Sequence, residues 1–227
     1  MPIKAVIFDL DDTLFDCIGQ LTEPARRRAA ESIVSEASDL EVDALYSLQA
    51  ELALEYGSTG AIKKICERYK LSPHVADLAL EAYNRPEVET IHPFPGVKQT
   101  LDTLRERGYL LAVVTAGRPG RQREKVSRLA LDRYFSEEQE TLTLHDEADG
   151  PLKDAALRQS AAQLELPPDQ ILSVGDKLDA EIAASNRLGM STAHIRHGRD
   201  ATRTPKNAEE QADYKIDQIS DLLDILP

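Results

Sequence analysis

The acidic residues near the start of the chain follow directly on an apolar segment. The stretch AVIFDLDDTLFD, residues 5–16, places Asp9, Asp11 and Asp12 immediately after a run of apolar residues. Carboxylates this close together repel one another, and carboxylates are rarely buried without a partner. We therefore expect this segment to hold a cation or to use its carboxylates in a reaction.

Three further segments carry residues suited to the same site. Thr115 closes the apolar run YLLAVVT, Asp176 closes QILSVGD, and Lys153 stands at the start of a predicted helix. In an open α/β sheet, ligands bind at the carboxyl ends of the strands. Carboxylates bind a hard cation such as Mg²⁺, a hydroxyl and an ammonium bind phosphoryl oxygens, and a carboxylate can attack phosphorus. Together these residue types indicate phosphoryl-transfer chemistry.

Short apolar runs alternate with helical patterns over most of the chain. This alternation predicts βαβ units and an α/β fold with a doubly wound, mostly parallel sheet. Strands are predicted over residues 3–9, 109–115, 141–145, 170–176 and 191–195, and helices over 97–107, 119–131, 153–164 and 179–188. The tail DYKIDQISDLLDIL is predicted to add a short strand and a closing helix.

The segment between the first two predicted strands departs from this alternation. Residues 17–90 are predicted to form about four helices and no strand, because apolar residues recur at helical spacing over 45–56 and Ser72-Pro73 is typical of a helix start. The predicted architecture is therefore an α/β core, residues 1–16 and 91–227, with an inserted all-helical cap, residues 17–90.

Composition and charge narrow the possible partners. Of 227 residues, 41% are hydrophobic and 30% charged, and the net charge is −13. Nucleic acids and anionic membranes bind clustered Lys and Arg, so we expect neither as a partner. No apolar run approaches the roughly 20 residues that span a bilayer, and no signal-peptide pattern opens the chain. With Cys17 and Cys66 lacking any disulfide pattern, we expect free thiols and a cytoplasmic protein.

The motifs resemble those of the haloacid dehalogenase (HAD) superfamily of phosphatases over essentially the whole chain. DLDDTL is similar to the family's DxDx[TV] signature, VVTAG to its second motif, and SVGDKLDAEIAASNRLGM to its acidic fourth motif. PFPGV resembles the return to the core in the branch with a helical cap. The resemblance, nearest to phosphoglycolate-phosphatase-like members and archaeal-type sugar- or triose-phosphate phosphatases, implies a Rossmann-like core and the hydrolysis of a small phosphate ester.

The resemblance also implies roles for the aspartates. Asp9 would attack the substrate phosphorus and form an aspartyl-phosphate. Asp11 would protonate the leaving alcohol and then activate the water that hydrolyses this intermediate. Mg²⁺ would be bound by the Asp9 carboxylate, the Asp11 backbone carbonyl and Asp176. A halide leaving group needs no proton, so an acid at Asp11 favours phosphate esters over halogenated substrates.

The remaining site residues are expected to hold the phosphoryl group. Thr115 would hydrogen-bond a phosphoryl oxygen, helped by backbone N–H groups at Ala116 and Gly117. Family members often carry a polar side chain where this chain has Ala116, which leaves binding at that position to the backbone. Lys153 would neutralise charge on Asp9 and on the phosphoryl group.

Two assignments stay open at this level. The family's lysine is commonly followed by Pro, whereas Lys153 is followed by Asp154. The alternative is therefore that Lys153 is a surface lysine at a helix start. Lys125 lies mid-helix and is expected to be exposed. The second acid of the fourth motif is either Glu181 or Asp179, and Glu181 is preferred for its spacing from Asp176.

Three functions are compatible with the motifs. The leading prediction is a Mg²⁺-dependent phosphatase of a small phosphorylated metabolite. The alternatives are a phosphomutase of the same branch, which returns the phosphoryl group to a rotated substrate, and a non-catalytic binding protein on a phosphatase scaffold. The particular metabolite and the oligomeric state, a homodimer included, are not determined by the sequence.

Overall fold

A computed structural model describes residues 2–85, 90–146, 153–198 and 201–226. The chain divides into two compact units. The first comprises Met1–Cys17 and Thr90–Pro227 and is called the α/β unit below. The second, Ile18–Glu89, is called the helical unit.

The α/β unit is built on a six-stranded sheet in the order β3-β2-β1-β4-β5-β6, in which all neighbouring strands are parallel. The strands are β1 (Ala5–Phe8), β2 (Leu110–Ala116), β3 (Leu142–His145), β4 (Ile171–Gly175), β5 (Ser191–Ile195) and β6 (Tyr214–Ile216). Strand order reverses on either side of β1, as in doubly wound folds, where ligands bind at such a switch point. The predicted fold class is confirmed.

The central position of β1 follows from its composition. Its four residues are at most 1% exposed, as expected for a parallel strand covered on both faces. Phe8 pairs with Val113 of β2 on one side and with Val174 of β4 on the other. This register brings the residues that follow the three strands, Asp9 among them, to one edge of the sheet.

Helices of the α/β unit cover the sheet. They are α4 (Val97–Glu106), α5 (Pro119–Arg128), α6 (Asp154–Gln163), α7 (Ala183–Leu188) and the short α8 (Leu222–Ile225). Leu101 and Leu104 of α4 are fully buried. The predicted helix over 179–188 begins instead with a wide π-helical turn, Leu178–Ile182, which continues into α7.

The helical unit has its own apolar core. After a π-helical turn at Ile18–Thr22 come α1 (Glu23–Glu36), α2 (Val42–Arg68) and α3 (Pro73–Tyr83). Buried residues of all three helices form one cluster: Ala29, Ala30, Ile33, Leu45, Ile62, Ile65, Cys66, Val75 and Ala79. α2 bends at Gly57, whose φ of 66° is accessible to glycine at little cost. Neither α2 nor any other helix in the described ranges is long and apolar enough to cross a membrane.

Both cysteines are free thiols. Burial raises the pKa of Cys17 and of Cys66, which keeps both side chains in the thiol form. Because the thiolate is the reactive form, neither cysteine is suited to act as a nucleophile.

We expect Leu101→Ala to destabilise the α/β unit by about 2–5 kcal/mol, because it leaves a cavity under α4. Urea unfolding followed by circular dichroism measures the change. Leu110→Ala is the matched control: Leu110 is 48% exposed, so its loss should change stability little. Equal destabilisation by the two variants would contradict the packing described here.

Candidate active site

A buried lysine lies between two carboxylates at the carboxyl end of β1. The Lys153 ammonium donates to Asp9 Oδ1 at 2.6 Å and forms a second, short ion pair with Glu181. All three residues are less than 5% exposed. Lys153 precedes α6 in sequence, and the alternative of a surface lysine is wrong because its side chain is buried against Asp9.

Four carboxylate oxygens beside this lysine have no hydrogen-bond partner among the residues that the structure describes. They are Asp9 Oδ2, Glu181 Oε2 and both oxygens of Asp176. Asp9, Asp176 and Glu181 each bring one oxygen within 4.8 Å of the others. Buried, converging, unpaired carboxylate oxygens are the ligands that a hard divalent cation prefers, so this donor set fits Mg²⁺.

The fourth-motif acid that joins this cluster is Glu181. The π-helical turn after β4 directs Glu181 inward, where it is 3% exposed. Asp179 instead accepts a hydrogen bond from Arg203 at 2.8 Å, and its side chain is 57% exposed. The open choice between the two acids is thereby resolved by the geometry of the turn.

Burial perturbs the acidities of the cluster. Desolvation raises the pKa of Asp176 to about 9 and that of Asp9 to about 6, although Lys153 partly opposes the shift at Asp9. Burial also opposes ionisation of Glu181, but Lys153 and Lys177 outweigh it and lower its pKa. A divalent cation would favour the ionised form of all three carboxylates, because it offsets both the desolvation and their mutual repulsion.

Asp11 points away from this cluster, toward α5. Lys125 Nζ lies 2.8 and 2.7 Å from its two carboxylate oxygens, and Gln122 Nε2 donates to Oδ2 at 3.2 Å. Although burial opposes ionisation, the ion pair with Lys125 and the bond from Gln122 hold the pKa of Asp11 below its usual value. The structure thus separates the two aspartates of the motif into different environments.

The expectation that Lys125 is exposed is wrong. Lys125 is 5% exposed, because Gln122, Lys125 and Val126 lie on the inner face of α5. The helical spacing of these residues is visible in the sequence. Because Gln122 and Lys125 are polar, however, the pattern of apolar residues alone does not predict that they face inward.

The carboxyl end of β2 brings Thr115 to the site, but the predicted donor at Gly117 is engaged elsewhere. Thr115 is 1% exposed, and its Oγ1 accepts a hydrogen bond from Gln122. The N–H of Gly117, expected to bind a phosphoryl oxygen, donates to the carbonyl of His145 at 3.0 Å. This corrects the expectation for Gly117, because the N–H continues the β2–β3 ladder beyond Ala116 and is already engaged.

Two residues at the site were missed by sequence reasoning. A Cβ at Gly198 would lie 2.6 Å from Asp176 Oδ2 and 2.9 Å from Asp12 Cβ, so the backbone of Gly198 approaches the carboxylate as only glycine can. Lys177 follows Asp176, and despite burial the pKa of Lys177 is raised by Glu181, Asp9 and Asp176. In the sequence, the glycine of RHGRD was the only feature that could have indicated Gly198.

Comparison with known proteins decides the family. Residues 6–195 match the haloacid dehalogenase-like hydrolases. The chain belongs to this family. A glyceraldehyde 3-phosphate phosphatase of Methanopyrus kandleri is 34% identical over 230 residues, which cover 99% of this hydrolase and 97% of the relative. A ribulose-1,5-bisphosphate 5-phosphatase of Halopiger xanaduensis is 30% identical over 245 residues, which cover 98% of each. The family predicted from the motifs is confirmed.

Solved structures agree on the fold. A putative HAD-hydrolase of Bacillus subtilis bound to magnesium has a TM-score of 0.70 with this hydrolase at 19% sequence identity, and the match covers 100% of this chain and 99% of the other. At that identity the likeness establishes the shared fold.

We expect Mg²⁺ to stabilise the protein and Asp176→Asn to abolish that effect, because the substitution removes a carboxylate ligand. Stabilisation should reach about 2.7 kcal/mol when Mg²⁺ is at one hundred times its Kd. Because the pKa of Asp176 is about 9, binding must displace a proton, so affinity should rise as the pH approaches 9. Thermal unfolding with and without Mg²⁺ measures both effects.

Asp179→Asn is the matched control for this experiment. It removes a carboxylate from the same turn, but from a side chain paired with Arg203 rather than aimed into the cluster. This variant should keep the full response to Mg²⁺. An equal response in Asp176→Asn and Asp179→Asn would place the cation elsewhere.

Proposed function

We propose that this hydrolase is a Mg²⁺-dependent phosphatase that cleaves a small phosphorylated metabolite through an aspartyl-phosphate on Asp9. The enzyme is a phosphomonoesterase, as its family and named relatives support. One observation carries the mechanism: Lys153 holds one oxygen of Asp9, the other oxygen has no partner among the described residues, and Asp9 belongs to the carboxylate cluster.

The first step is nucleophilic attack. The unpaired oxygen of Asp9 forms a bond to phosphorus, and the bond between phosphorus and the substrate alcohol breaks. Lys153, bonded to the other Asp9 oxygen, orients the nucleophile and offsets the charge that gathers as two anions meet. The carboxyl of Asp11 gives its proton to the departing alkoxide, which leaves as the alcohol.

The second step restores the enzyme. Water attacks phosphorus, the ionised Asp11 accepts the proton of that water, and the bond between phosphorus and Asp9 breaks. Inorganic phosphate leaves and Asp9 is again a carboxylate. Lys125 and Gln122 favour the ionised form of Asp11 that this step requires, whereas the negative charge of the incoming phosphate ester favours the protonated form that the first step needs.

The Mg²⁺ ligands in this proposal are Asp9, the backbone carbonyl of Asp11, and Asp176, with Glu181 completing the acidic cluster. Bound there, Mg²⁺ would neutralise the approaching phosphoryl group and keep the buried carboxylates ionised. Thr115, buried at the end of β2, supplies a hydroxyl for a phosphoryl oxygen.

The substrate class in this proposal is a small phosphate ester. Relatives named for glyceraldehyde 3-phosphate and ribulose-1,5-bisphosphate support it. The helical unit, Ile18–Glu89, is proposed to act as the cap that limits what can enter. The net charge of −13 disfavours a polyanionic macromolecule as substrate.

The protein should release phosphate from p-nitrophenyl phosphate with Mg²⁺ and lose this activity in EDTA. Asp9→Asn should abolish turnover, because an amide cannot replace the carboxylate nucleophile. Glyceraldehyde 3-phosphate, phosphoglycolate and ribulose-1,5-bisphosphate should then be ranked by kcat/KM. Folded protein without turnover of any ester would favour a binding protein, and an isomerised sugar phosphate without free phosphate would favour a mutase.

Lys153→Ala should lower kcat on the order of 10²-fold, as expected for the loss of one preorganised electrostatic partner. Lys215→Ala removes an exposed lysine of the same unit and should leave kcat unchanged. The measurement is steady-state phosphate release at saturating Mg²⁺. Near-normal rates in Lys153→Ala would move the role to another cation.

A further inference from the structure

Two buried polar side chains of α5 neither form a bond to phosphorus nor transfer a proton in this mechanism. Gln122 and Lys125 lie one helical turn apart and are 2% and 5% exposed. Burying an ammonium and an amide is costly unless both are paired. Their partners are residues of the proposed catalytic machinery, which suggests that the cost is tolerated for function.

Lys125 clamps the carboxylate of Asp11. Its ammonium lies almost equally far from both oxygens, at 2.8 and 2.7 Å, and 5.9 Å from the centre of the Phe15 ring. The Lys125 side chain is 7% exposed and that of Asp11 is 22% exposed. Asp11 is therefore held from the α5 side while part of its carboxylate remains accessible to a substrate.

Gln122 connects Asp11 to the phosphate-binding hydroxyl. Its Nε2 lies 2.5 Å from Thr115 Oγ1, 3.0 Å from the carbonyl oxygen of Ala116 and 3.2 Å from Asp11 Oδ2. A carbonyl and a carboxylate can only accept, so the NH₂ end of the amide must face them. This fixes the amide orientation without reference to hydrogen positions.

That orientation has a consequence for Thr115. Since Gln122 donates to Oγ1, the hydroxyl hydrogen of Thr115 is directed elsewhere and remains available to a phosphoryl oxygen. One side chain thus sets both the direction of the Thr115 hydroxyl and the position of the Asp11 carboxylate.

The backbone at Gly117 leaves room for the Gln122 side chain. Gly117 has a φ of 138°, and a Cβ at that position would lie 3.3 Å from Gln122 Cδ. A larger residue would be strained and would push on the amide. The segment after β2 is therefore built around the Gln122 side chain.

We propose that Gln122 and Lys125 are positioning residues for phosphate-ester cleavage: together they hold the Asp11 carboxylate where it meets the leaving group, and Gln122 also orients the Thr115 hydroxyl. This inference rests on the proposed phosphatase function. Proton transfer requires the donor within hydrogen-bond reach of the leaving oxygen, so a freely rotating Asp11 would lose much of its effect.

The effect of Asp11 depends on the leaving group, which supplies the test. An alkoxide needs a proton, whereas p-nitrophenolate is stable without one. Lys125→Met should lower kcat/KM for glycerol phosphate on the order of 10–100-fold and that for p-nitrophenyl phosphate less than about threefold. Lys125→Arg keeps a cation with several donors and should retain more of the alkyl-ester rate than Lys125→Met.

Gln122→Met has a different signature because two partners lose their donor. It should show the same selective loss of kcat/KM for glycerol phosphate. It should also lower kcat/KM for both substrates by a common factor, because the Thr115 hydroxyl is no longer oriented. That common loss should disappear in a Thr115→Val background, where no hydroxyl remains to be oriented. Gln122→Met also keeps the inference testable if Lys125→Met fails to fold.

A double-mutant cycle separates positioning from general damage. In an Asp11→Asn background, Lys125→Met should lower kcat/KM less than about threefold further, because its target is already disabled. Arg128→Met, on an exposed site of the same helix, removes one positive charge and should change neither substrate's rate. Circular dichroism of each variant would check that it folds.

The outcomes distinguish this inference from the proposed function. Equal losses on both substrates in Lys125→Met, or a full additive loss in the Asp11→Asn background, would overturn the inference while phosphatase activity stands. Wild-type protein that turns over no phosphate ester would overturn the proposed function, and the inference with it.

Discussion

The structure depends on one buried ammonium shared by two carboxylates. Lys153 bonds Asp9 and pairs with Glu181, yet within the part of the chain that the structure describes each of these acids keeps one unpaired oxygen, and Asp176 keeps two. Buried carboxylates are costly to leave unpaired, and Lys153 engages only one oxygen of Asp9 and one of Glu181. The unpaired oxygens that converge there mark where a divalent cation would fit.

The sheet topology brings the residues of the site together. β1 lies between β2 and β4, so the carboxyl ends of three parallel strands adjoin and deliver Asp9, Thr115 and Asp176 to one edge. Strand β1 can occupy the centre of the sheet because it is apolar on both faces. The same apolar character removes water from the Asp9 carboxylate, which is why burial dominates its acidity.

Two lysines from different parts of the chain hold two aspartates that are close in sequence. Lys153, at the start of α6, holds Asp9, whereas Lys125 of α5 holds Asp11. Burial raises the pKa of Asp9, while Lys125 and Gln122 lower that of Asp11 against the same effect. Similar groups are thereby placed in unlike environments, as the proposed division into a nucleophile and an acid–base group requires.

The sequence by itself determined the alternating fold, the family and the candidates Asp9, Asp11, Thr115, Lys153 and Asp176, because local apolar runs and short motifs carry that information. Only the tertiary structure decided that Lys125 is buried, that Glu181 rather than Asp179 turns inward, and that the N–H of Gly117 is engaged. The physical reason is distance along the chain. Lys125 and Asp11 are 114 residues apart, and a polar residue on the inner face of a helix is recognised only when the partner that stabilises it has been brought there by the fold.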